Sequence, residues 1–210
     1  MKLGQHFLKN KSALQKIAAI LDLKKGETVI EIGAGHGELT IELLKYGVKV
    51  IAVEKDPHLV KQLGHKFSIF NDQFSIKEGD ILKILPLLNS KFKIQNSKLA
   101  GNIPYYLTGY LFRTIGELKH KPSLIVFTLQ KEVAERIAAR PPKMNKLAAS
   151  VQLWADPEII DYLRPADFSP PPKVQSAIIR LSIKKASNSA IVELDANYSK
   201  YYKVVNLLFQ

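Results

Sequence analysis

Thr28-Val29-Ile30-Glu31-Ile32-Gly33-Ala34-Gly35-His36-Gly37 decides the fold of this chain. Four of its first five residues are β-branched and suit a pleated strand; glycine then recurs at 33, 35 and 37, where a tight turn benefits from the lack of a Cβ. Residues 38–45 resume with helical spacing, so the segment reads as strand, turn and crossover helix. Working outward, strand signals recur at 48–53, 74–77, 98–101 and 124–129, and helical ones at 57–67, 107–118 and 131–139. Strands alternating with helices predict an α/β fold with a mostly parallel sheet. Upstream, Ser12 is the expected cap of a helix carrying Leu14, Ile17, Ala18 and Leu21, which stops at Lys24-Lys25-Gly26 and is expected to cover the sheet edge. Downstream, apolar runs at 148–154 and 176–183, with no clear helix between them, predict a closing hairpin that brings the sheet to seven strands. Pro170, Pro171 and Pro172 remove donors and hold the loop at 168–174 extended. Residues 184–189 read as a polar linker and 197–209 as a helix. The expected organisation is one domain over 1–183, followed over 184–210 by a linker and the first helix of a small helical domain that is cut short.

Composition narrows the partners. The chain has 210 residues, 46% of them hydrophobic, enough for one substantial core. Lysine and arginine number 31 against 19 acidic residues, a net charge of +12, which favours an anionic partner, nucleic acid first. The lysines are scattered, so a merely basic surface is the plain alternative. The absence of cysteine excludes disulfides, thiolate metal sites and a cysteine nucleophile, and fits a reducing compartment. The five histidines have no ligand spacing and no metal is expected. The chain opens without an apolar signal region, and no run reaches the roughly 18 apolar residues of a spanning helix, so no membrane association and a cytoplasmic location are expected.

Three expected strand ends carry ligand-binding residue types. The glycine turn lets a nucleotide-like ligand approach the backbone, yet Gly33-Ala34-Gly35-His36-Gly37 departs from the dinucleotide spacing and lacks a phosphate-binding Gly-Lys-Ser/Thr. Taken alone, such a turn also serves simply to join strand and helix. Glu54, about 20 residues past the first glycine, is placed to bind the two hydroxyls of a ribose. Asp80, after the third strand, is placed to accept from an adenine amino group, or else to cap a helix. Together they describe a site for an adenosine without phosphates, and S-adenosylmethionine meets that description. At the next strand end stands Asn102-Ile103-Pro104-Tyr105. The Asn102 side-chain carbonyl and the backbone carbonyls fixed around Pro104 offer acceptors to a planar amine, and Tyr105 offers a stacking face. A conjugated amine is a poor nucleophile until acceptors grip its hydrogens, so this tetrad points to methylation of an exocyclic nitrogen. Phe168 is a second aromatic for sandwiching the base, or a core residue beside a rigid turn.

Five segments then carry a family likeness. Gln5-His6-Phe7-Leu8, residues 31–37, Asn102-Ile103-Pro104-Tyr105, Gln130-Lys131-Glu132-Val133-Ala134-Glu135-Arg136 and residues 168–177 together resemble the ribosomal RNA adenine N6-dimethyltransferase family, over almost the whole chain. The resemblance implies a class I SAM-dependent methyltransferase fold, Rossmann-like, with a seven-stranded, mostly parallel sheet flanked by helices. It implies a donor site of His6, Leu8, Gly33, Gly35, Glu54, Asp80 and Asn102, using S-adenosyl-L-methionine and no metal. It also implies that Asn102 and the Pro104 carbonyl hold the amine while Tyr105 and Phe168 stack on the base. The substrate implied is a pair of neighbouring adenines near the 3′ end of small-subunit ribosomal RNA, each methylated twice on a pre-30S-type particle by a monomeric enzyme. Residues 130–136 look most like the small-subunit branch. Ala34 stands where this family often has proline, a tolerable exchange since alanine demands no special backbone angles. The small helical domain should continue beyond Gln210. Competing readings are a resistance-type methylase of a large-subunit adenine, a non-catalytic RNA-binding assembly factor on the same fold, and, more distantly, a nicotinamide oxidoreductase.

Overall fold

A computed structural model of the chain describes residues 5–92, 97–184 and 197–209. The glycine turn does join strand to crossover helix: β2 (Thr28–Ile32) leads through Gly33 to Gly37 into α2 (Glu38–Leu44). Ahead of it lie β1 (Phe7–Leu8) and α1 (Lys11–Ile20). After it come β3 (Lys49–Glu54), α3 (Pro57–Lys66), β4 (Phe74–Glu78), α4 (Ile81–Phe92), β5 (Ser97–Asn102), α5 (Thr108–Gly116), β6 (Leu124–Gln130) and α6 (Lys131–Ala138). The chain continues with α7 (Lys146–Gln152), β7 (Ala155–Leu163), β8 (Phe168–Ser169), β9 (Ser176–Ile183) and α8 (Tyr198–Leu208).

Seven strands form one sheet in the order β4-β3-β2-β5-β6-β9-β7, and β1 pairs separately with β8. The first five positions are parallel; β9 runs antiparallel to β6 and to β7. Both faces are covered, which explains why β6 is buried along nearly its whole length and reads as an unbroken apolar run. Val29, Val50, Ala52, Val126 and Ile178 face α1, α2 and α3 through Ile17, Leu43 and Leu63. Ile30, Ile32, Val53, Leu99 and Ile179 face the other set of helices through Leu85, Leu111, Phe112 and Val151.

Three expectations change. The cap of α1 is Asn10, whose side-chain oxygen accepts from the Ala13 amide at 3.2 Å, so Ser12 falls within the first turn. α1 lies against the middle of one sheet face, not at its edge, because its apolar stripe is wide enough to pack on Val29 and Val126. The run at 148–154 forms helix rather than the first arm of a hairpin: Asn145 accepts from the Leu147 and Ala148 amides, both at 3.0 Å, and starts α7. The partner of β9 is β7, whose Asp156, Pro157, Glu158 and Asp161 mask the strand signal as edge strands commonly do, with a bulge between Ile159 and Asp161. α4 has no counterpart among the expected helices because Pro86 sits inside it. Most of the expected linker lies outside the described residues, whereas α8 packs on α7, with Tyr198 and Tyr201 hydroxyls donating to the Ser150 and Ala149 carbonyls at 3.4 and 3.2 Å.

Candidate active site

The sheet order sets the carboxyl ends of β4, β3, β2 and β5 side by side, with the strand order reversing between β2 and β5, where open α/β sheets bind ligands. Asp80, Glu54, Gly33 and Asn102 therefore line up along one rim. They border a cleft of about 920 Å³ that opens to solvent, whose walls also include His6, Gly35, Pro104, Tyr105 and Phe168. Leu8 is the exception among the expected donor residues. It is buried and lines a smaller adjoining recess of about 360 Å³, which shares Gly33, Gly35 and Asn102 with the main cleft.

Glu54 is held by the backbone. Its Oε2 accepts from the Gly35 amide at 3.0 Å, and its Oε1 accepts from the Lys55 and Asp56 amides at 2.8 and 3.0 Å. Three N–H donors fix the carboxylate at 5% exposure and leave spare acceptor capacity toward the cleft. Gly35 is required for this grip: its φ is +58°, and an added Cβ would lie 2.8 Å from the Phe7 ring. Asp80 fulfils the capping alternative, its Oδ1 accepting from Leu82 at 3.0 Å, while Oδ2 pairs with Lys55 at 3.2 Å and faces the cleft rim.

The tetrad is anchored from both sides. The Ile103 amide donates to the Thr128 carbonyl at 3.0 Å, tying it to β6. Asn102 Nδ2 donates to the His6 carbonyl at 2.6 Å, which engages one of its two N–H bonds and identifies Oδ1 as the acceptor end of the amide. The Pro104 carbonyl accepts from Leu107 at 2.9 Å in a single 3₁₀ turn, so one of its lone pairs remains. Tyr105 meets Ser176 hydroxyl to hydroxyl at 3.4 Å. The ring facing Tyr105 is that of His6, with centroids 6.1 Å apart and planes 28° apart. Phe168 is 1% exposed because its register partner Leu8 and neighbour Leu163 enclose it, so it reaches the cleft only as part of the wall.

The N-terminal arm is thus part of the site. Phe7 pairs with Ser169 and Leu8 with Phe168, His6 Nδ1 donates to the Pro170 carbonyl at 2.8 Å, and Asn10 Nδ2 donates to Asp167 Oδ1 at 2.7 Å. Under the glycine turn, Glu31 is 1% exposed and takes a 2.6 Å hydrogen bond from Thr40. Burial pushes its carboxyl up to about 8; the Thr40 bond opposes this, and the charges of Glu38 and Glu54 add to it. Below that value Glu31 is mainly a neutral acid, lining the smaller recess beside the glycine turn. Sequence reasoning missed Tyr106, which is 59% exposed at the cleft mouth, and Lys55 beside Asp80. Adjacency to the tetrad signalled the first; only folding brings Lys55 to Asp80. Among the described residues, no group of three or more His, Asp or Glu side chains has the geometry of a metal site, and no helix is long and apolar enough to cross a membrane.

Comparison with known proteins agrees with this geometry. The sequence model of the family described as "Ribosomal RNA adenine dimethylase" matches residues 1–210. A ribosomal RNA small subunit methyltransferase A of Dehalococcoides mccartyi is 42% identical over 187 residues, spanning 88% of this chain and 63% of that protein. One from Synechococcus sp. is 38% identical over 210 residues, 96% of this chain and 76% of the relative. The chain thus spans somewhat under two thirds of the Dehalococcoides protein's length. Among solved structures, a dimethyladenosine transferase of Plasmodium falciparum superposes with a TM-score of 0.82 at 26% identity, covering 97% of this chain and 70% of that one. The 23S rRNA methyltransferase ErmE gives 0.75 at 24% identity over 92% and 77%, a likeness of fold.

Proposed function

Because this chain belongs to the ribosomal RNA adenine dimethylase family, we propose that it transfers methyl groups from S-adenosyl-L-methionine to N6 of two adjacent adenines near the 3′ end of small-subunit ribosomal RNA. The substrate would be met within a pre-30S-type particle in the cytoplasm, by a monomer. The division at residue 183, with α8 opening a small helical domain, belongs to the same proposal.

The residues present fit the donor. The carboxylate of Glu54, oriented by three amides, suits the paired hydroxyls of a ribose; Gly33 and Gly35 leave the backbone open beside it, and Asp80 reaches the rim where an adenine amine would lie. Bound there, S-adenosylmethionine supplies a methyl carbon already activated by its sulfonium. The chain's part is then positioning. One observation carries the reading: Asn102 Nδ2 donates to the His6 carbonyl, so Oδ1 is the end of the amide that would act as acceptor in the cleft that Asn102 lines. Asn102 Oδ1 and the remaining lone pair of the Pro104 carbonyl would take the two N–H bonds of an adenine amine, localise its lone pair and aim it across the rim. Tyr105 supports the base plane. After transfer the nitrogen is cationic and strongly acidic, so its proton passes to solvent without a dedicated base.

The test is incorporation of labelled methyl groups into unmodified small-subunit particles, mapped to nucleotides. Label on two adjacent adenines of that RNA is the expected result; label on a large-subunit adenine would transfer the assignment to a resistance-type enzyme. Asn102→Ala should lower turnover about a hundredfold or more, as loss of a preorganised polar contact does. Full biological activity of that variant would point instead to a non-catalytic assembly factor.

A further inference from the structure

The cleft mouth continues into an exposed aromatic slot. Buried positions Leu107, Leu111, Phe112 and Ile115 turn one side of the segment 105–116 into the core. The opposite side presents Tyr106, Gly109 and Tyr110 to solvent, with Tyr106 59% and Tyr110 68% exposed. Exposed tyrosines contribute nothing to the core; Tyr106 stands in the 3₁₀ turn that leads into α5, and Tyr110 in the first turn of α5. Side chains on a helix lean toward its N-terminus, so Tyr110 leans back toward Tyr106 and the cleft. Gly109 lies between them with an ordinary backbone conformation, and a Cβ added there would meet nothing within 4 Å. It is therefore not kept by backbone strain or by crowding. What its missing side chain provides is open space on the exposed side that also carries Tyr106 and Tyr110.

We propose that Tyr106, Gly109 and Tyr110 form a slot that takes an unpaired base flanking the target adenine, stacking it between the two rings while the target enters the cleft. This rests on the RNA-methylating function proposed above. The slot is continuous with that cleft through Tyr106, which lines both. The chain's net charge of +12 suits a polyanionic strand. Stacking on tyrosine needs only a π-face, so the slot adds affinity and register without reading sequence. A protein partner would instead want these rings buried in a complementary apolar surface, and the same measurements separate that case.

The experiment uses the full chain with small-subunit RNA and with an unpaired oligonucleotide carrying 2-aminopurine beside the target adenine. Tyr106→Ala and Tyr110→Ala should each weaken RNA binding about tenfold and abolish quenching of 2-aminopurine, and Tyr110→Ala, which lies outside the cleft lining, should leave donor binding by calorimetry unchanged. Tyr106→Phe and Tyr110→Phe should retain the quenching. Gly109→Leu keeps both rings, favours the helix and fills the slot, so it should reproduce the alanine effect. Unchanged RNA affinity in Gly109→Leu, or leucine serving as well as phenylalanine at 106 and 110, overturns the slot while leaving methylation intact. If the unsubstituted protein methylates no ribosomal RNA, the parent reading falls and the slot with it.

Discussion

At the scale of single residues, Glu31 gives the sharpest pH prediction. Its folded carboxyl titrates near 8 against an ordinary 4.5. Between those values the unfolded chain releases a proton that the folded chain keeps, so stability falls as pH rises through the window and levels off above it. Glu31→Gln mimics the neutral acid and removes this slope. Denaturant titrations at several pH values should find the variant gaining on the parent from about pH 4.5 to about pH 8, by at most roughly 1.4 kcal/mol per pH unit. A difference independent of pH would mean that Glu31 is charged in the native state. Gly33, Glu54, Asp80 and Asn102 were legible in the sequence because each follows or ends an apolar strand, and strand ends converge. The neutrality of Glu31 was not, since its burial follows only from the packed sheet and helices, and the His6 ring over Tyr105 and the enclosure of Phe168 were not, since they join segments far apart in the chain, as do Asn102 and His6, 96 residues apart.

At the scale of elements, the arm before α1 is joined to the loop before β8 by side chains that also cap helices. Asn10 serves twice, accepting from Ala13 and donating to Asp167, whose other oxygen accepts from the Arg164 amide at 2.7 Å. Asn10→Ala should cost roughly 1–3 kcal/mol, the sum of a lost cap and an under-satisfied, mostly buried carboxylate, read as a lower denaturation midpoint at unchanged slope. Amide exchange at Phe7 and Leu8 should quicken in step. The parallel strands were readable to within one or two residues, most plainly β2 and β6, where burial on both faces leaves near-continuous apolar runs. β7 and α7 were exchanged in the reading for the opposite reason: an edge strand tolerates Asp156, Pro157 and Glu158, and a seven-residue helix has too few turns to display its period.

At the scale of the whole molecule, the excess of 31 basic over 19 acidic residues should dominate association with RNA. Affinity for small-subunit RNA should drop steeply and linearly on a log–log plot as salt rises, because each neutralised phosphate releases counterions, while donor affinity, which the proposed site assigns to Glu54 and the glycine turn, should change little. Equal salt slopes for the two ligands would contradict that division. The order of strands gives the division a material form. In the proposed site, the donor-side residues Gly33, Glu54 and Asp80 come from chain preceding residue 81, Asn102 serves both sides, and Tyr105, Tyr106 and Phe168 come later. The seam between β2 and β5 thus separates most of the two sets, with the N-terminal arm and Asn102 bridging it. A chimera that exchanged only the later one for that of a relative would be expected to keep its fuel and change its target.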